Sequence, residues 1–196
     1  MMFIIFILII FILIFHFKKT SKIKIVINKK EFYVNKCDDQ YYAALIMNII
    51  YTNVFELLKN MNEKKKIISK KEIIRVTNIW KNMTIIETDY DSNDTSFMIA
   101  KGDSLYICIR NKKKKIFTDI NTLMYVILHE LAHIFNPKYE HDDVFTNFNI
   151  ELLIEAINKN FYKYIDYNKK NIEYCGITIN KNILTKYYNA FGNKLQ

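Results

Sequence analysis

The hydrophobic and polar residues of this chain recur with two different periods. Between residues 40 and 60 the apolar positions approximate a helical period, which predicts a helix packed on a core. The β-rich runs TIIETDY, TSFMIA and SLYICIR, within residues 84–110, are separated by polar turns and predict a small antiparallel meander. The runs IKIVI and EFYV predict a hairpin or a bent strand. Residues 24–35 and 84–110 are therefore expected to form one small twisted, mostly antiparallel sheet, backed by the helix.

Three further helices are predicted from periodicity and end signals. A short one runs through Trp80, whose ring is expected in the core. The next covers about residues 122–136 and ends before Pro137, because proline disfavours the helical conformation of the residue before it. A last one covers about residues 142–160, and the tail predicts a strand and a terminal helix. These elements indicate an α+β fold.

The first seventeen residues, MMFIIFILIIFILIFHF, contain no Asp, Glu, Lys or Arg. As a helix they would span about 25 Å, enough to cross a bilayer. Lysines follow the apolar run, and no small-residue cleavage site does, so an uncleaved anchor is expected rather than a signal peptide. The positive-inside rule then predicts a single-pass membrane protein, with residues 1–17 as the anchor and a domain of residues 18–196 on the cytosolic side.

Length and charge limit the remaining choices. A chain of 196 residues with 51% hydrophobic residues suits one buried domain plus an appendage, and hence a single site. The net charge of +9 would suit nucleic acid or an anionic membrane surface as a partner. Lys, Ile, Asn and Tyr are abundant while Gly and Pro are scarce, which is typical of AT-rich coding. The charge alone therefore does not indicate nucleic acid.

The three cysteines are Cys37, Cys108 and Cys175. Their odd number, wide spacing and lack of a C-x-x-C pattern indicate neither a disulfide framework nor a cysteine zinc knuckle. Unpaired thiols in a reducing compartment are therefore expected, in agreement with the cytosolic orientation.

The stretch LMYVILHELAHIFN is apolar at almost every position except His129, Glu130 and His133. Burying two imidazoles and a carboxylate in such a helix costs several kcal/mol unless a partner satisfies them. His129 and His133 lie one turn apart on one face, so both can direct a ring nitrogen to one ion. Glu130 is rotated by about 100° from His129 and reaches a metal-bound water without ligating the ion. H-E-x-x-H on a helix is a zinc-protease pattern, so Zn²⁺ is the expected cofactor.

A catalytic zinc site needs a third protein ligand and an open position for water. His141 is the natural candidate, because the chain turns at Pro137 and seven residues separate His141 from His133. Glu151 and Glu155, at i and i+4 of the next helix, are the competitors, since some zinc peptidases take a Glu ligand from a downstream helix. Alternatively these glutamates form surface pairs or hydrogen-bond a ligating imidazole.

The sequence HELAHIFNPKYEHDDVF resembles the HELAH…H-x-x-x-F signature of the WLM and SprT-like zincins. Its continuation, from ELLIEAINKNFYKYIDYN to EYCGITI, resembles small uncharacterised WLM-type metallopeptidases of large DNA viruses. The resemblance covers roughly residues 120–180. No glycine follows His133, and the gap before His141 is longer than in H-E-x-x-H-x-x-G-x-x-H, which argues against an ordinary metzincin.

The resemblance implies a zincin-like fold and roles for individual residues. It implies His129, His133 and His141 as zinc ligands, Glu130 as catalytic acid and base, and Phe145 as a packing aromatic. The expected reaction is hydrolysis of a peptide or protein substrate by a Glu-activated, zinc-bound water.

Other parts of the site are expected as follows. SLYICIR, just before the active-site helix, is the candidate strand for binding an extended substrate by β-addition. Tyr139, Tyr162 and Tyr167 are candidate donors to the oxyanion, with no basis for a choice among them.

Two alternatives to an ordinary peptidase stay open. The best-known WLM and SprT-like members cleave proteins crosslinked to DNA, and a DNA-associated protease would use the positive charge. A non-enzymatic, membrane-anchored protein with a structural zinc would keep the histidines but would have no use for Glu130 at its position.

Overall fold

The structure is a computed structural model that describes residues 21–61, 67–112, 115–138 and 140–186. The predicted anchor, residues 1–17, lies outside these ranges. The described strands and helices are, in chain order, β1 Lys22–Ile27, β2 Lys30–Asn35, α1 Gln40–Lys59, α2 Lys70–Asn82, β3 Thr84–Glu87, β4 Phe97–Ile99, β5 Ser104–Ile107, α3 Ile120–Phe135, α4 Asp143–Asn158, β6 Ile172–Tyr174 and β7 Ile177–Ile179.

The main sheet has five strands in the order β1-β2-β3-β5-β4. β1 pairs with β2, and β4 with β5, in antiparallel fashion, whereas β3 runs parallel to both β2 and β5. The prediction of a mostly antiparallel sheet was therefore wrong, and the sheet is mixed. The parallel pair β2 and β3 results from the helices α1 and α2, which form the crossover between these strands.

The predicted meander within residues 84–110 was also wrong in its pairing. β3 and β5 are direct neighbours, with Ile85 opposite Leu105, and β4 lies on the outer edge of the sheet. A period of two identifies strands but does not identify their partners. As β5 is paired with β3 and with β4 over Ser104–Tyr106, the SLYICIR strand cannot accept a further strand there, and the edge on this side of the sheet belongs to β4.

The four helices predicted between residues 40 and 160 are present, with ends shifted by a few residues. Asp119 caps α3, because its side chain accepts a hydrogen bond from the backbone N–H of Thr122 at 2.9 Å. Trp80 is fully buried, as predicted, and its indole N–H donates to the carbonyl of Tyr51 at 3.1 Å. α1 and α2 pack on each other, and α3 packs on α1 and α4. The buried faces of the four helices and the sheet form one hydrophobic core.

The helix α1 is long and apolar enough to cross a membrane by length and composition. Its residues Ala43, Ile50 and Leu57 are fully buried against the rest of the domain. A buried core helix of a folded domain satisfies the same length and composition test.

The C-terminal part of the described chain forms a second, two-stranded sheet from β6 and β7. The strand predicted there is thus a hairpin, and the terminal helix predicted for NILTKYY lies partly outside the described residues. A disulfide joins Cys108, just after β5, to Cys175 in the turn of this hairpin, with 6.2 Å between their Cα atoms. The prediction of three unpaired cysteines was wrong for this pair, because a contact between residues 67 positions apart leaves no trace in local spacing. Cys37 is free.

Candidate metal centre

The helix α3 places two of the predicted ligands side by side. Leu128, Leu131 and Ala132 are fully buried and fix the helix in the core, so its polar residues open towards a cleft. His129 and His133 lie on one face, with ring centroids 5.2 Å apart. Their spacing of one helical turn brings both imidazoles to the same point, as the sequence predicted.

The loop after α3 returns His141 to these two residues. The Nε2 atom of His141 lies 3.1 Å from Nε2 of His129, and its ring centroid is 4.7 Å from that of His133. One ring nitrogen from each of the three histidines lies within 4.8 Å of the others. The aromatic ring of Phe145 supports all three, with centroid distances of 4.4–4.9 Å to the imidazoles.

Two polar side chains hold the loop that carries His141. The Asn136 amide donates to the carbonyl of Glu140 at 3.0 Å and to Oδ1 of Asp142 at 3.2 Å. The same Oδ1 accepts the backbone N–H of Phe145 at 2.9 Å and so caps α4. The end of α3 and the beginning of α4 are therefore tied together on either side of His141.

Lys101, in the turn between β4 and β5, also fixes this loop. Its ammonium donates to the carbonyls of Asn136 at 2.9 Å, of Pro137 and of Lys138 at 3.3 Å. A cation at the carboxyl end of a helix is favourable, because the last carbonyls there lack helical partners. The edge of the sheet thus contributes to placing the third histidine.

The surroundings of the imidazoles favour their neutral form. Burial, and then the neighbouring His133 and His141, lower the pKa of His129 to about 4. Burial, followed by the charges of His141 and Lys101, lowers the pKa of His133 to about 4. Neutral imidazole is the form that ligates metals, so both rings are ready to bind an ion at neutral pH.

Glu130 lies beside the histidines on α3. Burial raises the pKa of its carboxyl group to about 7. A positive charge at the histidine centre would favour the ionised form. A carboxyl group with a pKa near neutrality is suited both to accept a proton and to return it.

The donor atoms fit a zinc ion. Three imidazole nitrogens with no thiolate or carboxylate in the group, as found among the described residues, suit Zn²⁺ and other borderline divalent ions. Three protein ligands are the number that leaves one position open for water or substrate. The group contains His141 and neither Glu151 nor Glu155, the alternatives considered from the sequence.

Glu151 hydrogen-bonds to the backbone instead of joining the three histidines. Its Oε2 accepts the backbone N–H groups of Ile67 and Ile68, at 2.9 and 3.2 Å, and so anchors the segment before α2. The polar side chain of α4 that lies near the three histidines is Asn149, whose Nδ2 lies 3.5 Å from Nδ1 of His129. Sequence analysis missed Asn149, because nothing in the local pattern distinguishes it from the neighbouring asparagines.

A cleft of about 290 Å³ opens beside His129 and Glu130. Its walls include Ser96, immediately before β4, and the hairpin residues Tyr174 and Ile177. The Tyr174 hydroxyl lies 2.5 Å from Oγ of Ser96, which also accepts the backbone N–H of Cys108 at 3.0 Å. Hairpin and edge strand thus meet directly at the cleft.

Two of the three tyrosines proposed as oxyanion donors, Tyr162 and Tyr167, do not line this cleft. Tyr162 and Tyr167 are buried and pack on the ring of Tyr125, with centroid distances of 5.9 and 5.2 Å. Tyr139 lies outside the described residues. Tyr174, which the sequence did not single out, is the buried tyrosine that lines the cleft.

The family of the chain follows from comparison with known proteins. The model of the WLM domain family matches residues 65–186, which is more than half of the chain, and the chain therefore belongs to this family. The WLM family belongs, together with the SprT-like proteins, to the metallopeptidases. This agrees with the resemblance seen in the HELAH segment.

The relatives indicate which branch of the family this is. The chain is 34% identical, over 170 residues and 85% of both chains, to an uncharacterised protein of Acanthamoeba polyphaga mimivirus. It is 36% identical over 85 residues to an uncharacterised protein of Invertebrate iridescent virus 3, covering 43% of this chain and 50% of that protein. The chain is thus a WLM-type protein of large DNA viruses. It is also similar to the crystal structure of Wss1 from Saccharomyces cerevisiae, with a TM-score of 0.49 and 19% identity over 65% of this chain and 88% of that one.

Proposed function

We propose that the chain is a zinc-dependent metallopeptidase in which His129, His133 and His141 hold the metal and Glu130 is the general base and acid. The observation that carries this proposal is the convergence of three imidazole nitrogens to within 4.8 Å, with a carboxyl group on the same helix and a cleft in front of them. Family membership supports the reaction class.

The chemistry divides between the metal and this carboxyl group. Zinc held by three imidazoles supplies a Lewis acid for the peptide carbonyl and lowers the pKa of a coordinated water to near 7. Glu130 accepts the proton of the attacking water and later delivers it to the nitrogen of the leaving amine. Glu130 is half-buried and lines the cleft, so its carboxyl group faces the substrate side of the metal centre. Phe145 keeps the three rings packed against one another.

The substrate is proposed to be an extended segment of a protein. Ser96 lines the cleft and β4 begins at the next residue, so the outer edge of β4 leads into the site. The opposite side of β4 is paired with β5, which leaves one row of backbone groups for a peptide strand. The proposed substrate edge is thus one strand further out than the strand predicted from the sequence.

Two properties proposed from the sequence extend this function. Residues 1–17 would anchor the enzyme as a single-pass membrane protein, and the lysines after them favour a catalytic domain on the cytosolic side. The Cys108–Cys175 disulfide is the observation against that side, because the cytosol keeps thiols reduced. The net charge of +9 keeps a DNA-associated protease as the second candidate, and that candidate predicts DNA binding that weakens steeply with salt. A purely structural zinc site would not need the half-buried Glu130, whose partial desolvation opposes folding.

The direct test is metal analysis of the full-length protein in detergent, followed by digestion of an unbiased peptide library. Wild-type protein is expected to contain about one zinc per chain. The variants His129→Ala and His133→Ala should lose both the zinc and the cleavage. Zinc-free wild-type protein that remains folded after exposure to excess zinc would refute the proposal.

A further inference from the structure

We propose that Asn149 is a positioning residue for the metal centre, whose side-chain oxygen accepts the Nδ1 proton of His129 and so keeps Nε2 of that ring free for the ion. This inference rests on the proposed zinc site and adds to it a residue outside the H-E-x-x-H motif. It concerns which nitrogen of His129 carries the proton.

The position of Asn149 is unusual for an amide. It lies on the inner face of α4, one turn after Phe145, and only 2% of it is exposed. Its other buried neighbours on α4, Phe148, Leu152 and Leu153, are apolar. Burying an amide in such surroundings opposes folding unless the amide forms hydrogen bonds. A specific partner is therefore expected, and the polar side chain found within reach is His129, at 3.5 Å from Nδ2.

One of the two polar atoms of the Asn149 amide lacks a hydrogen-bond partner. Among the described residues, the buried Oδ1 of Asn149 has no hydrogen-bond partner. A half-turn about the last side-chain torsion exchanges Oδ1 and Nδ2 without moving the rest of the residue. Oδ1 would then face Nδ1 of His129.

The geometry of the three histidines favours one of the two orientations of the Asn149 amide. The Nε2 atoms of His129 and His141 lie 3.1 Å apart, so these two rings present Nε2 to the common centre. A neutral imidazole carries one proton, and a ring that ligates through Nε2 must carry it on Nδ1. An Nδ1–H group facing the amide NH₂ would set two donors against each other. Facing Oδ1, it forms the outer hydrogen bond that fixes the tautomer and orientation of a ligating histidine.

The test compares three variants of the full-length protein. Asn149→Leu removes the acceptor with little change in volume, and Asn149→Asp retains an acceptor oxygen of nearly the same shape. Asn147→Leu is the matched control, because Asn147 is an exposed asparagine on the same helix. The zinc dissociation constant is measured by chelator competition. The tautomer of each histidine is read from long-range proton–nitrogen NMR spectra of the zinc-loaded protein.

We expect Asn149→Leu to bind zinc about 10- to 100-fold more weakly than wild type, with Asn149→Asp and Asn147→Leu within about threefold of it. In wild type the His129 ring should carry its proton on Nδ1. If Asn149→Leu does not fold, the inference is still tested by the zinc affinity of Asn149→Asp and by the His129 tautomer in the wild-type spectrum.

Two results would overturn the inference while leaving the zinc site intact. One is zinc binding by a folded Asn149→Leu at the wild-type affinity, and the other is a zinc-loaded His129 protonated on Nε2 instead of Nδ1. Wild-type protein that binds no zinc would be a different failure, because it would remove the proposed function and this inference together.

Discussion

At the residue scale, the parts of the site that could be predicted are those with a spacing imposed by chemistry. Two ligands on one helical face are three or four residues apart, and in H-E-x-x-H the Glu directly follows the first of them, so the motif is visible in the sequence. Asn149 and Tyr174 have no such constraint. Asn149 reaches His129 across 20 positions, and Tyr174 meets Ser96 across 78, through packing that no local pattern encodes.

His141 should be essential for metal binding, and the glutamates of α4 should not. His141→Ala removes one of three donors, so zinc should bind more than about 100-fold more weakly, beyond the loss caused by an outer hydrogen bond. Glu151→Ala should lower the melting temperature, because it frees the N–H groups of Ile67 and Ile68, but should keep the zinc affinity. Chelator competition measures the zinc affinity of both variants. If Glu151→Ala weakened zinc binding more than His141→Ala did, Glu151 would be the ligand.

At the scale of elements, the helices were predictable and the strand neighbours were not. Residues with a helical period lie on one helix, so α1, α3 and α4 follow from the sequence alone. The position of β5 between β3 and β4 depends on a long-range arrangement, and the same holds for the contact of the β6–β7 hairpin with the end of β5. The sequence therefore predicted the wrong edge strand, and it did not predict that the β6–β7 hairpin forms one wall of the cleft.

The contact between the β4–β5 turn and the loop after α3 should affect metal affinity from a distance. Lys101→Met retains the aliphatic stem but loses the bonds to the carbonyls of Asn136, Pro137 and Lys138. The loop that carries His141 should loosen, and zinc should dissociate up to about 10-fold faster. Lys138→Met is the control, because this exposed lysine makes only a 3.8 Å ion pair with Asp142. Equal rates for wild type and Lys101→Met would show that the turn does not position the loop.

The disulfide should stabilise the hairpin that forms one wall of the cleft. Replacing Cys108 and Cys175 together by serine should lower the free energy of unfolding by about 2–4 kcal/mol. Amide exchange should accelerate in β6 and β7 first, whereas Cys37→Ser should leave exchange there unchanged. Thiol labelling of the denatured, unreduced protein should find one free cysteine. Three labelled cysteines together with an unchanged unfolding energy would contradict the pairing.

At the scale of the whole molecule, the sequence predicted the α+β class and the single site. The sequence did not predict that the sheet is mixed. Two parallel neighbouring strands need a crossover connection, here formed by α1 and α2, and hydrophobic periodicity does not predict the path of such a connection. The WLM family assignment agrees with the H-E-x-x-H motif of α3, which lies within the matched residues 65–186.

Membrane attachment should depend on the N-terminal segment alone. The full-length protein should stay with membranes after alkaline carbonate washing, and deletion of residues 1–17 should release it. The helix α1 satisfies the same length and composition test but is packed in the core, so it should not retain the truncated protein. Retention of the truncated protein would assign the anchor elsewhere, and protection of the C-terminal domain from protease in intact vesicles would reverse the orientation.

The central claim is that Glu130 performs the proton transfers while the histidines hold the metal. The most direct measurement compares zinc content and peptide hydrolysis of wild type and Glu130→Gln in parallel. The amide is nearly isosteric, and Glu130 is not one of the three donors, so zinc content and melting temperature should change little. Hydrolysis should fall by about 10²–10⁴-fold or more, because the general base is lost. A zinc-loaded Glu130→Gln variant that cleaves the same peptide at the wild-type rate would contradict the mechanism.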